Sequence, residues 1–142
     1  MFTNVEHIGI AVRDLTASNA LFASLFNTQP YKSEEVTSEG VMTSFFRFNN
    51  GSGQTKIELL VPTRPDSPIA TYLEKRGEGI HHLAFEVTDI VTEMARLKAE
   101  GFVLLNETPK PGADNKLVCF LHPKTTNGVL IELCQERPLE GQ

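Results

Sequence analysis

A chain of 142 residues, 40% hydrophobic and 22% charged, has the length and balance of one ordinary globular domain. No apolar run approaches the ~20 residues needed to cross a bilayer, so no membrane-spanning helix is expected. The net charge of −5 comes without a basic run, which argues against nucleic acid as the partner.

The first expected strand covers residues 5–12. Ile8, Ile10 and Val12 share one face, and His7, Gly9 and Ala11 share the other, because strand side chains alternate. Asp14 is placed to cap a helix over 15–26, with Phe22, Leu25 and Phe26 as its apolar stripe. Asn27 tolerates the left-handed conformation that ends helices. Strands are expected over 31–36, 41–48 and 56–61, with Gly51 and Gly53 in the turn between the last two. The prolines Pro62, Pro65 and Pro68 mark a turn-rich linker. It leads into a short helix over 69–76, with Ser67 as cap and Pro68 at its first position. Gly77 and Gly79 close that helix.

A new strand then begins in GIHHLAFEV. Leu83, Phe85 and Val87 share one face; His82, Ala84 and Glu86 share the other. Asp89 caps a helix whose Ile90, Met94 and Leu97 lie at i, i+4 and i+7, and Gly101 ends it. Strands are expected near 102–105, 117–121 and 129–134. The order is βαβββ, linker, βαβββ.

That order is a repeat. His7 and His82 lie 82 − 7 = 75 residues apart, and Asp14 and Asp89 lie 89 − 14 = 75 apart. Ile57-Glu58-Leu59 returns as Ile131-Glu132-Leu133, with 132 − 58 = 74. Such self-similarity fixes the architecture before any single element does. A module of roughly 70 residues buries too little surface to stand comfortably alone. The expectation is therefore a single α+β domain over 1–142. Module one spans about 3–62, the linker 63–78, and module two about 79–136.

Each module carries one His near its start and one Glu near its end. These lie on the face opposite the alternating aliphatics, beside the small residues Gly9, Ala11 and Ala84. If the modules pack with pseudo-twofold symmetry, His7, Glu58, His82 and Glu132 converge. Two imidazoles and two carboxylates suit a borderline or hard divalent ion. The set does not choose among cobalt, zinc, nickel, manganese and magnesium. His81 points away from that face and is read as structural. His122, in LHPK, is read as structural or substrate-contacting. Lys124, Lys116 and Lys110 are expected on solvated loops, with at least one gripping an anionic substrate. Cys119 and Cys134 lack metal-ligand spacing and read as reduced core cysteines of a cytoplasmic protein. The start MFTNVEHIGI has no basic segment followed by an apolar one, so no signal peptide is expected.

Three stretches carry a family resemblance: EHIGIAVRDL, TKIELLVPTRPDSPIATYLEKRGEGIHHLAFEVTDI and FLHPKTTNGVLIEL. On them the chain resembles the vicinal oxygen chelate superfamily, the glyoxalase I, bleomycin resistance and dioxygenase group. More narrowly, it is similar to the methylmalonyl-CoA epimerase family. The resemblance implies two tandem βαβββ modules with pseudo-twofold symmetry, whose mixed sheet curls around a metal. It places the family's ligands on His7, Glu58, His82 and Glu132. It implies an acyl-CoA substrate, a homodimer, and epimerisation by α-proton removal and return through a metal-stabilised enolate.

Two departures shape the expected mechanism. Some epimerases carry Gln at Glu58, and the His/Glu/His/Glu set also occurs in bacterial glyoxalase I (lactoylglutathione lyase), which stands as the alternative. Some epimerases carry a catalytic glutamate at the position of Thr43, and Thr cannot serve as that base. Glu132 and Glu58 are therefore expected to act as the bases as well as ligands. An oxygenase with open metal positions fits poorly with a fourth protein ligand, and a metal-free binding protein has no need of the four residues together.

Overall fold

A computed structural model describes residues 1–49 and 55–138. The chain falls into two compact units, His7–His81 and Met1–Glu6 with His82–Gln142. The expected Gly51 and Gly53 turn lies outside the described residues.

In the His7–His81 unit the strands are β1 (Phe2–Ala11), β2 (Lys32–Val36), β3 (Val41–Phe46) and β4 (Lys56–Pro62). They lie in the order β2-β3-β4-β1. β1 runs parallel to β4, with Gly9 opposite Glu58. β3 is antiparallel to both β4 and β2, with Phe45 opposite Glu58 and Thr43 opposite Glu34. Between β1 and β2 runs helix α1 (Leu15–Phe26), with Asp14 accepting from the Ala17 amide at its start and Asn27 at φ 53° at its end. Its buried side brings Ala23 and the partly buried Leu15, Phe22 and Phe26 against Val12, Phe46 and Leu59. Leu25 is not part of this stripe: it is 69% exposed. At ~100° per residue Ala23 and Phe26 lie on the same side of Phe22's line on the helix and Leu25 on the opposite side, so centring the buried arc on Ala23 and Phe26 turns Leu25 outward.

Helix α2 (Pro68–Arg76) covers the other face of the same strands. Its cap is Ser67, whose side chain accepts from the Ile69 amide, and its Ile69 and Leu73 pack on Ala11, Val41 and Leu60. The two faces of β1, β3 and β4 thus have different covers, α1 on one and α2 on part of the other.

The second unit repeats the plan with β5 (Gly79–Val87), β6 (Lys110–Gly112), β7 (Lys116–Leu121) and β8 (Ile131–Glu136), in the order β5-β8-β7-β6. β5 is parallel to β8, with Ala84 opposite Glu132, and β7 is antiparallel to β8, with Phe120 opposite Glu132. The start of β1 is held here: Thr3 Oγ1 donates to the Glu86 carbonyl at 3.2 Å, and the Phe2 and Phe85 rings lie 5.7 Å apart. Helix α3 (Ile90–Ala99) is capped by Asp89, which accepts from the Thr92 amide. Its Ile90, Met94 and Leu97 pack with Val87, Cys119, Leu121 and Leu133 in the core of this unit.

One expected strand differs. Residues 102–105 form no strand, only a bridge between Leu104 and Leu121. Asn106 ends the pairing: its Oδ1 accepts from the Phe120 amide at 3.1 Å while its Nδ2 donates to the Thr108 carbonyl at 2.7 Å. The edge strand forms further on, as β6. Gly112 permits it there, since a Cβ at this position meets Val118 Cγ1 at 2.7 Å.

Candidate functional site

His7 leaves β1 on the same face as Glu58 of β4, a consequence of the parallel register that sets Gly9 beside Glu58. His7 Nε2 and Glu58 Oε1 stand 3.4 Å apart. The residues are 5% and 4% exposed. Phe45, the neighbour of Glu58 on β3, meets the His7 ring edge-on at 6.2 Å and 88°.

The second unit builds the same arrangement from the same positions of the repeat. His82 of β5 and Glu132 of β8 share a face, with Nε2 and Oε1 3.8 Å apart. They are 3% and 6% exposed. Phe120, the neighbour of Glu132 on β7, meets the His82 ring edge-on at 6.0 Å and 83°. Phe45 and Phe120 are 120 − 45 = 75 residues apart, the offset of the histidines. That offset was the signal that finds both rings in the sequence, and neither was singled out from it.

The spacing within each pair has chemical meaning. A charge-assisted hydrogen bond closes to ~2.7–2.9 Å, and neither pair does. Two donors each ~2.0–2.2 Å from one ion, at the tetrahedral angle, stand ~3.4 Å apart. The His7–Glu58 pair has that spacing, and the His82–Glu132 pair is slightly wider. Nearly complete burial of imidazole and carboxylate together also favours ligands over surface groups, since charged groups are seldom buried without a partner or a metal.

The residues around the pairs divide clearly. Thr43, beside Phe45's strand position, is 1% exposed and its Oγ1 donates to the Glu34 carbonyl at 3.0 Å. Its hydroxyl is thus engaged with the edge strand. His81 packs edge-on against Tyr72 at 4.9 Å, away from its neighbour His82. His122 Nδ1 accepts from the Lys124 amide at 3.0 Å and caps the short turn Pro123–Thr125, on which Lys124 is exposed.

Lys116 and Lys110 are not on solvated loops. Lys116 opens β7 and is 8% exposed. It shares the strand face of Val118 and Phe120, which pack with Ala84 and Cys134. Lys110 opens β6 and holds its ammonium 5.6 Å over the Phe120 ring. Cys134 packs with Ala84 and Val118 on this same face. Burial, then the charges of Glu132 and Glu6, push its thiol far above the ordinary range. Among the described residues no helix is long and apolar enough to cross a membrane.

Comparison with known proteins agrees with this geometry. Residues 6–120 match the model of the Glyoxalase/Bleomycin resistance protein/Dioxygenase superfamily. The chain is 42% identical over 137 residues to an ethylmalonyl-CoA/methylmalonyl-CoA epimerase of Cereibacter sphaeroides, covering 95% of this chain and 99% of that one. Its fold superposes on the crystal structure of methylmalonyl-CoA epimerase from Mycobacterium tuberculosis with a TM-score of 0.91 at 33% identity, covering 96% of this chain and 90% of the other. A methylmalonyl-CoA epimerase in complex with methylmalonyl-CoA and ammonium gives a TM-score of 0.90 at 32% identity over 100% of both chains. The chain has the vicinal oxygen chelate fold, and it belongs to the Glyoxalase/Bleomycin resistance protein/Dioxygenase superfamily and, within it, to the methylmalonyl-CoA epimerase family.

Proposed function

We propose that the chain is a metal-dependent epimerase that interconverts the two epimers of methylmalonyl-CoA. The observation that carries the proposal is the His–Glu–Phe arrangement built twice, at one offset, in a chain 42% identical to a named epimerase. In this reading His7, Glu58, His82 and Glu132 hold one divalent ion. The N/O donor set and the His–Glu spacing fit such an ion. When bound, it supplies Lewis-acid stabilisation for the negative charge that develops on the substrate's oxygens.

The chain's own residues do the rest. The reacting carbon lies between a carboxylate and a thioester, and its proton must leave one face and return to the other. Glu132 and Glu58 are assigned as the two bases, one for each face, each contributing ~10²–10⁴-fold. Phe45 and Phe120 wall the donors and keep water from the carbanion. With less water, the charges acting on it are screened less. Thr43 takes no part in proton transfer, since a hydroxyl committed to a backbone carbonyl is no base. Lys116, Lys124 and His122 are assigned to hold the anionic substrate. Of these Lys116 has the best support, from its place on the face of Phe120 and Glu132. A homodimer in the cytoplasm completes the reading, consistent with two unpaired, buried cysteines.

Glyoxalase I needs the same donors, because its reaction is also proton transfer between adjacent carbons. The test sets the two substrates against each other. The metal-analysed protein is incubated in deuterated water with 2-methylmalonyl-CoA or with the methylglyoxal–glutathione hemithioacetal. Deuterium uptake and epimer interconversion with the first alone supports the proposal; turnover of the second alone replaces it by the lyase.

A further inference from the structure

Each imidazole of the site meets a ring that also borders its carboxylate. In the His7–His81 unit Phe45 is the register partner of Glu58, and its ring stands at 88° to the His7 ring with centroids 6.2 Å apart. In the second unit Phe120 is the register partner of Glu132, and its ring stands at 83° to the His82 ring at 6.0 Å. Both phenyl rings are themselves held. Phe45 is 1% exposed. Tyr31 packs on it with centroids 6.1 Å apart, and the Arg47 guanidinium lies 4.7 Å over the Tyr31 ring. In the second unit the Lys110 ammonium lies 5.6 Å over the Phe120 ring. Each module thus runs from a cation through aromatic rings to an imidazole.

This packing answers a weakness of histidine as a ligand. The terminal torsion of an imidazole sits in a broad well, unlike the sharp staggered wells of an aliphatic chain. Burial alone therefore leaves the plane of the ring loosely set, and turning that plane carries Nε2 off its target. At a right angle the positive edge of one ring meets the negative face of the other, a preferred arrangement that resists the turn. The same phenyl ring stands directly across the strand from the carboxylate, where Cβ atoms are ~4.5–5.5 Å apart. One rigid group borders both donors of a pair, and the chain builds it twice.

We propose that Phe45 and Phe120 are positioning residues, a role that rests on the four-donor metal reading above. Each fixes the plane of its imidazole so that Nε2 stays beside the neighbouring carboxylate, and each thereby strengthens metal binding and narrows the geometry of the centre. The packing adds to the hydrogen bond at the far ring nitrogen by which ligating histidines are ordinarily oriented.

The probe is cobalt(II), titrated into the full chain after its metal has been removed with a chelator. The visible absorption of the ion reports ligand geometry, and competition with a chelator gives affinity. Neither readout needs turnover. The wild type is expected to bind, and F45L and F120L each to bind roughly two- to tenfold more weakly, the range of one ring pair, with shifted and broadened bands. F46L is the control. Phe46 adjoins Phe45 but packs with Phe26 under α1, on the opposite face of β3. F46L removes comparable packing and is expected to keep the wild-type affinity and spectrum. Wild-type binding by F45L or F120L overturns the proposal, and so does an F46L that weakens the ion as much as F45L does. No binding by the wild type overturns the four-donor reading and this role with it. Phe120 is only partly buried, so F120L carries the test if F45L does not fold.

Discussion

Replacing Glu58 or Glu132 by glutamine separates ligation from proton transfer. The amide has the size of the carboxylate, and the sites are 4% and 6% exposed, so neither change opens a cavity or admits water. Glutamine still presents an oxygen towards His7 or His82 and towards an ion. It cannot accept a proton. The expected loss in interconversion is ~10²–10⁴-fold, or about 2.7–5.4 kcal/mol of barrier at ~1.36 kcal/mol per tenfold. The assay is deuterium exchange into each separate epimer, with interconversion followed in parallel and metal content checked first. Metal-loaded E132Q should still exchange the α-proton of one epimer while interconversion falls; E58Q should give the mirror result. Full epimerisation by metal-loaded E58Q would refute the two-base assignment and leave Glu58 a ligand only. T43E then becomes informative. Under the assignment made here a carboxylate at Thr43 adds little to the rate, and a clear gain would place the second base at that position.

Three further outcomes are expected. Leu133 is fully buried against Val87, Ile90, Met94 and Leu121; L133A should lose ~2–5 kcal/mol of stability by urea unfolding, and a loss under ~1 kcal/mol would contradict the packing. Burial pushes the Cys119 thiol from 9.0 to about 11. The unfolded chain releases that proton first, so the group's contribution is whole below about 9 and is lost as pH rises through about 11. C119A should therefore flatten the decline of the urea midpoint across that window, and an unchanged slope would refute the shift. Sedimentation at micromolar concentration should give a species of twice 15.7 kDa, against which a lone monomer would count.

Local signals carried the elements that are decided locally. Asp14, Ser67 and Asp89 each accept the amide bond expected of a cap, and Asn27 takes the left-handed conformation that ends α1. The donor pairs were legible because the repeat doubled every clue. What escaped was decided by tertiary contact. Leu25 has the spacing of a core residue and faces out because α1 seats on Ala23 and Phe26. Residues 102–105 are an unbroken apolar run of strand length, but Asn106 diverts the Phe120 amide after a single bridge. Lys116 reads as a solvated loop residue because a buried lysine is unusual, and its neighbours Val118 and Phe120 decide otherwise.

The parallel pairings have a kinetic consequence. His7 joins Lys56 across 56 − 7 = 49 residues, and Leu83 joins Ile131 across 131 − 83 = 48. Every other strand pair within a module is closed by a shorter connection. Long-range closure carries an entropic cost before any contact repays it, and parallel strands are the slow step of such topologies. Each imidazole therefore waits for the last strand of its own module before its carboxylate arrives. On a ribosome, His7 and Glu58 are translated before His82 and Glu132. A nascent chain can finish one half-site and release it only partly dressed. Under the proposal that one ion takes all four donors, loading waits until synthesis is nearly complete.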